Sequence, residues 1–101
     1  MPSVNRVTQK ILKHKNKYVI FYSEWCKYSQ NAIELLKNKN IPYRGYIIEN
    51  IVPNDNIQLL LNKLARNKDI TNFNSSHRTR PIIFKHGKFL GGYTELNQDL
   101  E

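Results

Sequence analysis

The chain has 101 residues, 16 Lys and Arg against 8 Asp and Glu, three His and a single Cys, for a formal net charge of +8 at pH 7. That length fits one compact domain, 1–101, whose core needs no staple, and one cysteine excludes an internal disulfide. No apolar run is long enough to span a membrane and the N-terminus lacks the apolar stretch of a signal peptide, so the expected setting is the cytoplasm (the host cytoplasm for a viral protein), where thiols stay reduced.

A basic balance opens the question of nucleic acid. Asn, Ile and Lys are abundant along the whole chain, the signature of AT-rich coding, which raises lysine content without any function. The densest cluster, KILKHKNK from Lys10 to Lys17, closes an expected helix, where cations complement the dipole. Nucleic acid is therefore not an expected partner.

In chain order, SVNRVTQKILKHK carries apolar residues at Val4, Val7, Ile11 and Leu12, which is helical spacing, with Ser3 as its N-cap. YVIFY (18–22) is short, β-branched and aromatic, and reads as a buried strand. After Cys26, residues Ala32, Ile33, Leu35 and Leu36 line one face of a second helix that runs to about Lys39 and ends before Pro42. YRGYIIENI (43–51) reads as another strand. VPND is a turn whose Asn54 or Asp55 caps the next helix, NIQLLLNKLARN. From Lys68 to Arg80 the chain is polar and irregular, and a loop is expected. PIIFK (81–85) and FLGG (89–92) flank HGK, a hairpin signal. YTELNQDLE opens a last helix of about two turns with Thr94 as N-cap.

The order α-β-α-β-α-β-β-α implies an α/β fold with a mixed sheet. The first strands form a parallel pair joined by crossover helices, and the hairpin adds antiparallel strands. Repeats, low-complexity tracts and linkers are absent from the sequence.

Cys26 lies just after a strand, at the start of a helix. The first amides of a helix have no internal partners and the dipole is positive there, so both favour thiolate over thiol. Lys27 adds a cation and Glu24 opposes it. A lone cysteine is commonly buried and inert, but Glu24, Lys27, Ser29 and Gln30 are polar and place this one at a surface turn. No metal-ligand set is assigned.

These residues carry a resemblance. The chain resembles the glutaredoxins, of the thioredoxin superfamily, from end to end. WCKYS stands where that family has Cys-x-x-Cys or Cys-x-x-Ser with Tyr in the third position. Thr79-Arg80-Pro81 stands where it has Thr-Val-Pro with a cis proline, and GGYTEL (91–96) where it has Gly-Gly-x-x-Asp-Leu. The resemblance implies a four-stranded mixed sheet flanked by helices and a catalytic Cys26. It also implies that the backbone of Arg80 before Pro81 receives glutathione, and that Gly91 and Gly92 let the ligand come close. The amides of Thr94 and Glu95 then receive the γ-glutamyl carboxylate, Glu95 takes the ammonium, and Tyr28 and Tyr93 flank the ligand.

The chain departs from that pattern in three places. Ser23 occupies a position where Lys or Arg is common. Arg80 replaces an apolar residue; Arg80 and Arg78 are candidate sources of positive charge for a glutathione carboxylate, against the commoner reading of a solvated loop arginine. The residue holding the glycine carboxylate has no clear counterpart, with Arg66 and Lys68 as candidates. Because Ser29 replaces the second thiol, the expected activity is a monothiol one: glutathione-dependent thiol–disulfide exchange on glutathionylated proteins, by a monomer, with Ser29 and Lys27 as auxiliary residues. Two alternatives stand beside it. One is a carrier of a [2Fe–2S] cluster held between two chains by cysteine and glutathione, which the bulk of Lys27 and Tyr28 disfavours. The other is a non-catalytic binding module.

Overall fold

The computed structural model describes residues 16–52, 57–66 and 80–100. The helix expected over residues 3–15, the cap at Asn54 or Asp55, and the loop from 68 to 79 lie outside these residues. Strand β1, Tyr18–Tyr22, is followed by helix α1, Lys27–Asn38, and strand β2, Tyr43–Ile47. Helix α2, Ile57–Arg66, strands β3, Ile82–Lys85, and β4, Lys88–Gly91, and helix α3, Tyr93–Asp99, complete the described elements.

The sheet has the order β2-β1-β3-β4. β1 runs parallel to β2, with Tyr18 opposite Tyr43 and Tyr22 opposite Ile47, and antiparallel to β3, with Phe21 opposite Ile82. β1 reads as a continuous apolar run because both its faces are covered. Val19 and Phe21 pack with Leu60, Leu61 and Leu64 of α2. Tyr18 and Ile20 pack with Ala32 and Leu36 of α1 and Leu96 of α3. The result is a three-layer α/β sandwich, the mixed four-stranded architecture expected from the order of elements.

Two boundaries differ from the sequence reading. β2 stops at Ile47 rather than Ile51, and Ile48–Asn50 form a 3-10 turn. The amides of Ile51 and Val52 both return to the Ile48 carbonyl, at 3.0 and 3.1 Å, and the turn folds Ile48, Ile51 and Val52 into the α2 face. An apolar run such as YIIENIV does not distinguish a strand from a buried turn. Gly92, not Thr94, is the N-cap of α3. Glu95, third in the helix, accepts the Gly92 amide at 2.8 Å, which leaves Thr94 inside the first turn.

The β3–β4 hairpin turns through His86 and Gly87, both at positive φ (52° and 85°), as a two-residue type I′ connection requires. Gly91, at φ 136°, packs so closely under Glu95 that a Cβ would stand 2.6 Å from Cγ of that side chain.

The last helix is tied to the first described strand by a charge-assisted cluster. Tyr18 donates its hydroxyl hydrogen bond to Asp99 Oδ2 at 2.6 Å, and Lys85 Nζ lies 2.9 Å from the same oxygen. The Tyr18 bond, followed by that of Lys85, holds the Asp99 carboxyl below its ordinary value of 3.8. Burial, then Asp99, pushes the Tyr18 phenol up. Among the described residues no helix is long and apolar enough to cross a membrane.

Because the folded value of Asp99 is depressed, its contribution to stability is present above the unfolded carboxylate range and is lost as pH falls through the folded value. Wild type is therefore expected to be more stable than Asp99→Asn at pH 7, with the gap closing below about pH 4. Tyr18→Phe removes the same anchor and is expected to lose about 1 kcal/mol. Urea denaturation of the three proteins at several pH values measures both.

Candidate active site

Strand β1 delivers the chain to Ser23, which is fully buried. The chain then turns through exposed Glu24 and Trp25, and Cys26 caps α1 with extended backbone (φ −88°, ψ 123°). The Cys26 amide donates to the Ser23 carbonyl at 3.1 Å, and the Cys26 carbonyl accepts from Gln30 at 3.0 Å, so both its backbone groups are fixed. Its side chain makes no cap bond, so the thiol is not consumed by the helix terminus. The first turn of α1 contains no acidic residue and begins with Lys27. Helix amides, dipole and the nearest helical charge all present positive potential to the sulfur.

The thiol is partly exposed and faces the loop before β3: Cys26 Sγ lies 3.9 Å from the Arg80 carbonyl oxygen. The Arg80–Pro81 bond is cis and Pro81 is buried. Two of the three sequence motifs therefore meet at the thiol. The third arrives through aromatic contact. Tyr28, 63% exposed, lies 6.5 Å from Tyr93, the first residue of α3. Thr94 and Glu95 follow in that turn, both exposed. One carboxylate oxygen of Glu95 is bound to the Gly92 amide, so the group expected to meet an ammonium already serves the helix start.

Ser29, expected from the sequence to stand in place of a second thiol, is fully buried. Its hydroxyl oxygen accepts the Ser23 amide at 3.2 Å. Lys27 is exposed at the rim. Arg66, Lys68 and Arg78, candidates for glutathione carboxylates, fall outside what the structure describes for side chains. The Arg80 guanidinium lies over the Trp25 ring, 5.0 Å from its centre.

Three residues around the thiol were not assigned from the sequence. Ser23 had stood out only as a departure from a family position. Its hydroxyl donates to Glu49 Oε2 at 2.5 Å. Glu49 had no sequence signal, since it fell inside the over-long strand. Trp25 is 61% exposed, unusual for an indole. A cleft of about 300 Å³ runs beside α1, lined by Tyr22, Glu24, Gln30, Ile33, Glu34 and Lys37. None of the residues assigned from the sequence lines it.

No protein-family model matches the chain. It is 42% identical over 84 residues to a protein of Acanthamoeba polyphaga mimivirus described as a probable glutaredoxin, a match covering 83% of this chain and 77% of that one. The chain belongs to the glutaredoxins. Its fold is theirs as well. It matches a dithiolic glutaredoxin of Trypanosoma brucei brucei with a TM-score of 0.67 at 24% identity, over 97% of this chain and 86% of that one. It matches a buckwheat glutaredoxin–glutathione complex with a TM-score of 0.66 at 21% identity, over 96% and 81% of the two chains. This glutaredoxin is thus an α/β thiol–disulfide oxidoreductase of the thioredoxin/glutaredoxin fold.

The bond between Ser29 and the Ser23 amide has a measurable weight. Ser29→Ala leaves a buried amide without this acceptor and is expected to destabilise the protein by roughly 1–3 kcal/mol. Ser29→Cys keeps the size and a weak acceptor, and is expected to cost less. Chemical denaturation under reducing conditions ranks the two.

Proposed function

We propose that this glutaredoxin removes glutathione from glutathionylated proteins by a monothiol mechanism, with Cys26 as its nucleophile and glutathione as co-substrate. The observation that carries this reading is the meeting of Cys26 with the Arg80–Pro81 segment. The only thiol of the chain stands at a helix start, 3.9 Å from a main-chain carbonyl of a neighbouring loop. An extended peptide lying along that loop brings its own sulfur to Cys26. Tyr28, Tyr93, Thr94 and Glu95 form the second wall for the glutathionyl group, and Lys27 adds positive charge at the rim.

The Cys26 thiolate attacks the glutathione sulfur of the substrate. The bond between that sulfur and the protein sulfur breaks, and the protein leaves as a thiolate that takes a proton from water. A new disulfide joins Cys26 to glutathione. A second glutathione thiolate then attacks the glutathione sulfur of this adduct, releasing oxidised glutathione and the Cys26 thiolate. The reducing equivalent comes from the second glutathione alone: its sulfur goes from thiol to disulfide as the protein sulfur goes from disulfide to thiol, while the first glutathione stays at the disulfide level throughout. Ser29 supplies no thiol to compete with the second glutathione, because a hydroxyl is neither redox-active nor ionised near neutral pH. The bulk of Lys27 and Tyr28, which follow Cys26 in the chain, favours this transfer over a [2Fe–2S] cluster shared by two chains. A monomeric single domain acting in the cytoplasm is the setting in which this chemistry operates.

Incubation with oxidised glutathione is expected to add one glutathionyl group, about 305 Da, to Cys26, reversed by reduced glutathione. Cys26→Ser is expected to show neither the adduct on intact-mass analysis nor turnover in a coupled assay with a glutathionylated peptide. Ser29→Cys is expected to retain broad deglutathionylating activity while gaining an internal disulfide. Absence of both adduct and turnover in wild type overturns the reading.

A further inference from the structure

We infer that Glu49 is a positioning residue for the Cys26 nucleophile and acts through the Ser23 hydroxyl. This inference deepens the deglutathionylation reading above and rests on it.

The chain leaves the sheet at Ser23. The pairing of β1 ends just before it, at Tyr22 opposite Ile47 on one side and at Phe21 opposite Ile82 on the other. Ser23 is nevertheless fully buried, whereas Glu24 and Trp25 are exposed. It is the last residue before the thiol that the protein interior holds. Two of its bonds stay inside its own segment. Its amide donates to Ser29 Oγ at 3.2 Å, and its carbonyl accepts the Cys26 amide at 3.1 Å. These tie positions 23, 26 and 29 to one another. The third bond reaches a different element: the Ser23 hydroxyl donates to Glu49 Oε2 at 2.5 Å, across 26 positions of sequence. Such a length belongs to a charge-assisted bond between hydroxyl and carboxylate.

Glu49 is anchored in turn. It lies in the 3-10 turn Ile48–Asn50, and the Ile48 carbonyl receives the amides of both Ile51 and Val52. Ile48, Ile51 and Val52 are buried in the core on the α2 side of the sheet. The carboxylate therefore stands on a fixed base. A rotation at Ser23 passes through its carbonyl to the Cys26 amide, and it moves Sγ relative to the Arg80 carbonyl, 3.9 Å away. In-line attack on a bound disulfide tolerates little displacement. A small alkylating agent makes no such demand, because it reaches the partly exposed thiol from solvent in its own orientation. A carboxylate near a thiolate also opposes its ionisation, so the gain from Glu49 lies in the hydrogen bond and not in its charge.

The test compares wild type with Glu49→Ala, Glu49→Gln, Ser23→Ala and the double variant Ser23→Ala with Glu49→Ala. Two reactions of Cys26 are read: kcat/KM for a glutathionylated peptide, and the rate of alkylation by iodoacetamide at neutral pH. Glu49→Ala and Ser23→Ala are each expected to lose on the order of tenfold in kcat/KM. The double variant is expected to lose no more than the worse single one, because both remove the same bond. Glu49→Gln is expected to retain most of the activity, since its amide oxygen accepts the same hydrogen bond. Alkylation is expected to stay near the wild-type rate in all four. Tyr18→Phe, which loosens the fold at the opposite end of β1, is the stability control and is expected to leave transfer unchanged. Wild-type transfer by Glu49→Ala overturns the inference. Equal losses in transfer and alkylation do so too, because the bond would then only support the turn, and so do additive losses in the double variant. Should Glu49→Ala fail to fold, wild-type transfer by Ser23→Ala overturns the inference in its place. Absence of transfer in wild type overturns the underlying reading instead.

Discussion

At the end of β1 one buried serine uses each of its polar groups. The Ser23 amide donates to the Ser29 hydroxyl, its carbonyl accepts the Cys26 amide, and its hydroxyl donates to Glu49. A chain leaving a central strand must satisfy its backbone groups at once, because none of them reaches water. Here the three bonds point to three segments: the first turn of α1, the N-cap itself, and the 3-10 turn after β2. The orientation of the Cys26 thiol, the nucleophile of the proposed mechanism, therefore depends on the end of a neighbouring strand as well as on its own helix. A turn held at one end only would let Cys26 swing relative to the Arg80 carbonyl, and attack in line would lose its entropic advantage.

The rest of the fold holds the ends of this bracket in place. β1 is covered on both faces, with Val19, Ile20 and Phe21 fully buried, so the strand that feeds the turn cannot shift in register without exposing its whole run. The same strand pairs with β3, which begins one residue after the cis proline. The two arms of the site, Ser23–Cys26 and Arg80–Pro81, thus extend from adjacent hydrogen-bonded strands. Their separation is set by sheet spacing rather than by flexible loops. The Tyr18–Asp99–Lys85 cluster acts at the opposite end of β1, and α3 carries Tyr93 back to Tyr28 from there.

Much of this was legible in the sequence. YVIFY and PIIFK declared themselves by β-branched and aromatic content, the hairpin by His86-Gly87 between apolar runs, and α1 by the spacing of Ala32, Leu35 and Leu36. Two local errors have local causes. The run through Ile48 and Ile51 is apolar because it is buried, and burial does not distinguish strand from turn. Thr94 looks like a cap because hydroxyls cap helices, but Gly92 takes that place with Glu95 reaching back to it. The pairing of Ser23 with Glu49, 26 positions apart, has no local signature at all. It exists only because β1 and β2 lie side by side, and the stacking of Arg80 on Trp25 is equally a product of β1 and β3 meeting.

Position 29 joins the geometry of the site to its chemistry. A hydroxyl is a good acceptor for the buried Ser23 amide, and a thiol is a poor one. A hydroxyl also cannot form a disulfide. The substitution that makes the Ser23 bracket firm is therefore the same one that, under the proposed mechanism, hands resolution of the mixed disulfide to external glutathione. A thiol there would restore an internal resolving group but loosen the turn that aims Cys26, so the two properties oppose each other at one buried atom. Under the proposed mechanism the fixed turn and the monothiol route therefore share one origin, and Ser29 would serve the positioning of Cys26 as much as the absence of a second thiol.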